Sequence, residues 1–258
     1  MKDGSTVTGN AANNGGGIYC RGQGEVKLAG RASISHNTAE INGGGAYEDM
    51  CELRMKNTSA IERNSATYGG GAHIGRGSAT LTGDAVIRHN EAVRGGGLAV
   101  HKGRVSLFGG SAIRGNRAGY GGGMQITAFG RVRLFDRAAL RHNTASRAGG
   151  GAHLDGAVLV LRGQSVAVDN RARTSGGAMH IGIGKVILRR TSRVARNTAD
   201  RGGGVFVADA DLVVKEESAV VHNRARENGG GVFNAGGRVV IIGGSRVTQN
   251  RPNNCFHC

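Results

Sequence analysis

The sequence has few of the residues that globular domains use to fill a core and shape their loops. Its 258 residues include one proline, no tryptophan and ten other aromatic residues. No run of about 18 apolar residues occurs, which excludes a membrane-spanning helix, and the start has no apolar segment typical of a signal peptide. No glycine-free segment carries apolar residues at helical spacing, so a helical domain is excluded as well.

Glycine, in contrast, is abundant, with 48 residues. Collagen needs glycine at every third position together with much proline, but here the glycines come in blocks whose starts lie 26 to 28 residues apart. The blocks occupy residues 15–17, 43–45, 69–71, 95–97, 121–123, 149–151, 202–204 and 229–231, and Ser175–Gly177 completes the series.

Asparagine keeps the same period. The series is Asn10, Asn37, Asn64, Asn90, Asn116, Asn143, Asn170, Asn197, Asn223 and Asn250. Two markers that share one period indicate a repeat architecture. Each repeat has room for three short strands separated by Gly and Asn turns.

Stacking such repeats predicts an all-β fold, a single-stranded right-handed parallel β-helix of about nine coils with three short strands per coil. We expect residues 1–250 to form the repeat domain, which can be a piece of a longer chain, and residues 251–258 to form a C-terminal tail. Each Asn should adopt a left-handed or bridge conformation, and its amide should bond the Asn above and below. Aliphatic stacks from Val26 and Leu28 through Val239 and Ile241 should fill the core.

The repeat resembles that of the polymorphic outer membrane proteins, which joins GGAI-like and FxxN motifs. "GGGIYC", "GGGLAV" and "GGAMHI" match the first motif, and "ISHN", "IERN" and "VARN" match the second. The resemblance covers Val7 to Asn250 and implies a right-handed β-helical passenger with a role in adhesion. Ile, Leu, Val or Ala replaces the family's Phe at every site, and no part of this sequence resembles an autotransporter barrel.

One outward row follows the glycine blocks. An aromatic stripe of this kind suits stacking on sugar rings or contact with a protein partner, although β-propensity on a half-exposed strand explains it equally. The row comprises Tyr19, Tyr47, His73, Ala99, Gln125, His153, Met179, Phe206 and Phe233.

A second row precedes the asparagines and forms a basic edge. The chain carries a net charge of +16, and cations repeating at coil spacing can hold acidic glycans or other polyanions; a solvated edge that discourages aggregation is the alternative. Nucleic acid is not expected, because few aromatics interleave with the cations. The row comprises His36, Arg63, His89, Gly115, His142, Asp169, Arg196, His222 and Gln249, joined by loop residues Arg94, Arg117, Arg147, Arg171, Arg173, Arg201, Arg224 and Arg226.

Carboxylates that could serve as acid and base are sparse. Glu48 and Asp49 form one candidate pair, and Asp155 lies beside His153, with His73 and His101 between the two groups. The pair lies more than three coils from Asp155, about 19 Å, which exceeds either glycosidase geometry. We therefore assign no catalytic residues and no cofactor.

The four cysteines suggest no metal site. Cys20 and Cys51 lie 31 residues apart in neighbouring repeats, where a disulfide between them is one alternative. They occupy different points of the repeat, which favours two buried free thiols. The ending "CFHC" lacks the second ligand pair that a zinc site requires.

A third outward row changes character along the chain. Lys27, Arg54, Thr80, Ser106 and Arg133 give way to four β-branched residues. Such a patch predicts contact with a partner, a second copy or further sequence. Its members are Val160, Ile187, Val213 and Val240.

The sequence thus predicts a non-enzymatic β-helical scaffold, an adhesin-like surface or secreted protein that binds through a long repetitive face. Two alternatives stay open, a carbohydrate-active β-helix enzyme and a basic polyanion-binding module. We expect the cell surface or the extracellular space as its location.

Overall fold

The computed structural model describes all 258 residues and contains only β-strands, turns and bends. Three parallel sheets form the sides of a β-helix of about nine coils. The all-β, right-handed parallel β-helix expected from the repeat is therefore confirmed. The molecule has no helix of the length and apolarity needed to cross a membrane.

Each sheet collects the equivalent strands of successive coils. Sheet A, before the asparagines, comprises Thr6–Thr8, Ser33–Ser35, Ala60–Glu62, Val86–Arg88, Ala112–Arg114, Ala139–Arg141, Val166–Val168, Arg193–Ala195, Ala219–Val221 and Arg246–Thr248. Sheet B, after the asparagines, comprises Ala11–Asn14, Thr38–Asn42, Ser65–Tyr68, Glu91–Arg94, Arg117–Tyr120, Thr144–Ala148, Arg171–Ala172, Thr198–Arg201 and Arg224–Asn228. Sheet C, after the glycine blocks, comprises Ile18–Arg21, Glu25–Leu28, Ala46–Asp49, Glu52–Met55, Ala72–Ile74, Ser78–Leu81, Leu98–His101, Arg104–Leu107, Met124–Thr127, Arg131–Leu134, Ala152–Arg162, Met179–Arg189, Val205–Val214, Val232–Asn234, Arg238–Ile241 and Cys255–Phe256.

Sheet C refines the expectation of three strands per coil. In most coils, the side that belongs to sheet C is divided into two short strands by a turn. In three coils the two strands fuse into one of 10 or 11 residues, as in Ala152–Arg162. The coil therefore has three sides, as expected, but usually four strand segments.

The asparagines form a continuous internal ladder. Asn64 donates from its backbone N–H and from Nδ2 to Oδ1 of Asn90, at 2.9 and 3.1 Å, and from Nδ2 to the Ile34 carbonyl oxygen at 3.0 Å. The left-handed conformation was expected at each Asn, but it occurs at the residue ahead of the Asn, for example at Arg63 with φ 53°. Asn254 accepts from Asn250 and so extends the ladder into the tail.

The glycine blocks make the bend between sheets B and C. Gly69 adopts φ 68°, a conformation that side chains disfavour. A Cβ on the next residue, Gly70, would collide with the carbonyl oxygen of Glu91. Glycine is thus needed here for close approach of two backbones.

Aliphatic stacks fill the interior as one cluster of 43 buried residues. Ile34, Ile61 and Ile87 are in register and fully buried, one per coil. The expected core position of Ile241 is wrong, because this residue is 41% exposed. Its strand, Arg238–Ile241, pairs on one side only, so no further coil covers it.

Candidate functional site

The outer surface of sheet B carries a row of arginines in register. Successive coils place Arg117, Thr144, Arg171, Thr198 and Arg224 beside one another. All three arginines are exposed. Adjacent coils lie about 4.8 Å apart, so guanidinium groups recur at about 10 Å with a threonine hydroxyl between them.

Two further arginines, Arg173 and Arg226, lie beside this row. Arg171, Arg173, Arg224 and Arg226 line a shallow depression over sheet B, with Asp200 as its one carboxylate. Arg226 pairs with Asp200 at 3.3 Å, whereas Arg171, Arg173 and Arg224 form no salt bridge. Three guanidinium groups in this depression therefore remain free to bind an anion.

The predicted row ahead of the asparagines lies at the bend between sheets A and B. All members of the row other than Gly115 are non-glycine residues in the left-handed backbone conformation, and most of them are exposed. Arg196 is not free, since it donates two hydrogen bonds of 2.9 Å to Asp169 of the preceding coil. Arg63 also forms an ion pair, with Glu62 at 3.6 Å, which leaves the histidines of the row at the bend, namely His36, His89, His142 and His222.

A further basic cluster on sheet A was missed from the sequence. Arg88, Arg114 and Arg141 occupy one row in three successive coils. Arg88 donates to Glu62 at 2.6 Å, while burial, and then the two flanking arginines, lowers the pKa of Arg114. The row lies just ahead of the bend, so Arg114 and Arg117 extend the basic surface from sheet A to sheet B.

The aromatic row on sheet C is a stack of rings. His153, His180, Phe206, Phe233 and Phe256 are nearly parallel, with neighbouring centroids 4.8 to 5.2 Å apart. At the other end of the same row Tyr19 stacks on Tyr47, and His73 meets Tyr47 edge-on. Because ring faces contact each other, the parallel stack presents mainly ring edges.

One residue of this row was misassigned. Met179 is fully buried in the core and pairs with Ala152, whereas His180 occupies the outward position beside His153. The cause is a shift of one residue in the glycine block. Gly176 takes the left-handed first position, so the block is Gly176–Ala178 rather than Ser175–Gly177.

Three histidines of this row are largely buried. Burial lowers the pKa of His73, His153 and His180 to about 4 each, helped at His180 by the nearby His153 and Arg201. The Nδ1 of His73 lies 2.7 Å from Asn42 Oδ1, while Nδ1 of His153 has no partner. These rings are neutral at pH 7 and do not add to the basic surface.

The first candidate acid pair is not on the outward face. Glu48 points inward, is fully buried, and neither carboxylate oxygen has a hydrogen-bond partner. Burial raises the pKa of Glu48 to about 8. Asp49 is held by Arg76 at 2.8 and 3.0 Å, and these hydrogen bonds lower its pKa.

The cysteine expectation is also wrong. Cys20 and Cys51 form a disulfide that joins the first two coils, and Cys255 pairs with Cys258 in the tail. The two sulfurs of the first pair meet because Cys20 lies inside the coil and Cys51 follows the next strand of sheet C, Ala46–Asp49. No cysteine is free.

The structure aligns two other carboxylates that the sequence spacing did not suggest. Asp155 and Asp209 are both exposed and share a row of sheet C, with Ile183 of the intervening coil between them. Two coil spacings separate them by about 10 Å. Both side chains are open to solvent.

The β-branched patch has the predicted register. Val160, Ile187, Val213 and Val240 are adjacent and partly exposed. Arg133, Arg162, Arg189 and Lys215 surround part of it. It is thus an apolar strip with a basic margin.

No family model, no curated protein and no solved structure matches the chain.

Proposed function

We propose that this protein is a non-enzymatic β-helical scaffold that binds an extended acidic polysaccharide along sheet B. The observation that supports this most is the register of Arg117, Arg171 and Arg224 on one exposed face. The polymer would lie parallel to the helix axis, across the coils. Each second coil then offers it a guanidinium group.

Arginine suits such a ligand for geometric reasons. Its planar guanidinium binds a carboxylate or sulfate through two parallel hydrogen bonds. One exposed ion pair contributes only about 0 to 1 kcal/mol, so useful affinity requires several contacts on one polymer. The free side chains of Arg171, Arg173 and Arg224 and the hydroxyls of Thr144 and Thr198 supply such a set.

A polysaccharide fits this surface better than a single-stranded nucleic acid. Non-specific nucleic-acid binders combine cations with aromatic faces on which bases stack. Sheet B has Tyr68 and Tyr120 as its aromatic residues, and Arg147 already donates to the Tyr120 hydroxyl at 2.8 Å. The parallel rings of sheet C have faces occupied by one another.

The placement of the carboxylates supports binding without catalysis. Glu48 is buried and Asp49 is paired with Arg76. Asp155 and Asp209 are exposed and lie on sheet C, not on the sheet that carries the arginine row. On sheet B itself, Asp200 is paired with Arg226 and Glu227 with Arg201, so neither carboxylate is free to act as an acid or a base beside the polymer.

The proposed location is the cell surface or the extracellular space. Disulfides persist mainly in oxidising environments, and the link between Cys20 and Cys51 fits such a location. The adhesion role implied by the resemblance to the polymorphic outer membrane proteins agrees with a surface scaffold. It is part of the same proposal.

A panel of polymers tests the proposal. Binding is measured to polygalacturonate, heparin, neutral dextran and single-stranded DNA at rising salt concentrations. We expect binding to the two acidic polysaccharides that weakens steeply with salt, none to dextran, and weaker binding to DNA. The polysaccharide length after prolonged incubation should be unchanged; shortening would support the enzymatic alternative, and stronger DNA binding would contradict the choice of ligand.

A further inference from the structure

Three departures from the repeat meet in the first two coils. Cys51 stands before the second sheet C strand of its coil, where the other coils have Gly or Ala. Donor atoms of Cys20, Glu48 and Cys51 all lie within 4.8 Å of one another. Cys20 and Glu48 themselves head an inward row whose next six members are branched aliphatic residues, namely Ile74, Val100, Ile126, Leu154, Ile181 and Val207.

The disulfide accounts for the two cysteines but not for Glu48. A buried carboxyl group without a hydrogen-bond partner destabilises a fold, and an aliphatic side chain at the same position would not. Both oxygens of Glu48 are in this state. A cation between Glu48 and the sulfurs would give these oxygens the partner that they lack.

We propose that Cys20, Glu48 and Cys51 bind one thiophilic divalent cation of the Zn²⁺ class when the disulfide is reduced. Zn²⁺ is typically bound by four ligands, and three protein ligands leave one position for water. Two thiolates favour Zn²⁺ over Mg²⁺ or Ca²⁺, which prefer oxygen ligands. The cation then joins the first two coils in place of the disulfide.

The two states are related by a balanced exchange. A dithiol reductant supplies two electrons and two protons to the Cys20–Cys51 disulfide and itself becomes a disulfide. Zn²⁺ then displaces the proton of each thiol and the proton of the Glu48 carboxyl group, so that three protons are released for each cation bound.

Solvent can reach this position. Cys51 borders a surface depression that is also lined by Gln23, Met50 and Arg76. Cys20 is partly exposed at the edge strand of sheet C. A small dithiol and a hydrated cation therefore approach without unfolding of the coils.

Cobalt titration of the full chain tests the proposal. Cys255→Ser/Cys258→Ser is used as the parent, because the tail holds the other two cysteines and His257. The parent is reduced with dithiothreitol, freed of reductant under anaerobic conditions and titrated with Co²⁺, followed by Zn²⁺. We expect one Co²⁺ per chain, a thiolate-to-cobalt absorption band and its loss when Zn²⁺ displaces the cobalt.

Two variants separate the proposed site from adventitious thiol binding. Glu48→Ile copies Ile74 of the next coil, so it should fold, and its Co²⁺ affinity should fall at least about tenfold. Glu52→Gln, a matched change to a neighbouring acid, should bind as the parent does. Circular dichroism establishes the fold of each reduced chain.

Four results would overturn the proposal, the first three of which concern binding. These three are the absence of one-to-one Co²⁺ binding, equal affinity in Glu48→Ile, and equal binding by the disulfide form. A reduced chain that is unfolded and stays so when Zn²⁺ is added also overturns it. These readouts do not involve polysaccharide binding, so they are independent of the function proposed above.

Discussion

Oδ1 of Asn116 accepts two hydrogen bonds from Asn90 in the preceding coil, one from the backbone N–H at 2.9 Å and one from Nδ2 at 3.1 Å. Nδ2 of Asn116 in turn donates to Oδ1 of Asn143 at 3.0 Å. Every internal rung therefore satisfies buried polar groups of two neighbours. The ladder links the coils through hydrogen bonds as the aliphatic stacks link them through packing.

Removing one internal rung should destabilise the fold strongly. Asn116→Ala removes the acceptor of the Asn90 backbone N–H and one of the two acceptors of Asn90 Nδ2, and we expect a loss of about 2 to 4 kcal/mol in the free energy of unfolding. Asn10→Ala at the exposed first rung is the control and should cost less than about 1 kcal/mol. Urea unfolding measures both, and equal losses would contradict the ladder's role.

Acid should destabilise the protein through its buried histidines. The pKa of His180 is about 4 in the folded chain against about 6.5 when unfolded. The unfolded state therefore binds more protons as the pH falls from about 6.5 to 4, and stability falls by up to about 1.4 kcal/mol per pH unit for each such histidine. His180→Phe, which copies Phe206, should reduce this slope in urea unfolding between pH 4 and 7, and an unchanged slope would refute the assignment.

Glu48 should act in the opposite direction. Its folded pKa of about 8 exceeds its unfolded value of about 4.3, so the native state keeps a proton that the unfolded state has lost. The contribution of Glu48 to the free energy of unfolding therefore falls as the pH rises from about 4.3 to 8, by up to about 1.4 kcal/mol per pH unit. Glu48→Ile with the disulfide intact should be more stable than the wild type at pH 8, whereas the exposed control Glu40→Gln should not differ.

The β-branched patch should mediate association. We expect light scattering to give a mass above the 26.5 kDa of one chain. Val213→Lys should shift the protein toward the monomer and raise its solubility, because Val213 lies inside the strip. A monomeric wild type whose solubility and stability are unaffected by Val213→Lys would refute this.

The fold could be predicted from the sequence because the glycine blocks and the asparagines repeat with the same period as the coils. Parallel stacking then placed Val160 beside Ile187 correctly. The assignment of outward residues failed where the repeat changes. Ala178 replaces a glycine of the block, so the outward residue of that coil is His180 and not Met179. The stacking of repeats alone could not show that Asp49 forms an ion pair with Arg76.

Glu48 shows why the candidate site was harder to predict than the fold. In a strand, inward and outward positions alternate, and Tyr47 is outward, so alternation places Glu48 inside. The acidic character of Glu48 and Asp49 suggested the surface instead. The bridge from Cys20 to Cys51 depends on how the turn after Asp49 folds, which the repeat does not specify.

If the polymer binds along sheet B, its affinity depends on the arginines that lie in register there. Arg171→Gln/Arg224→Gln removes two of them, and Arg104→Gln/Arg131→Gln removes two exposed arginines in register on sheet C, so the net charge is the same. The decisive measurement is polygalacturonate affinity at constant salt. We predict about tenfold weaker binding for the sheet B variant and a smaller loss for the sheet C variant. Equal losses would show that net charge alone is responsible and would contradict polymer binding along sheet B.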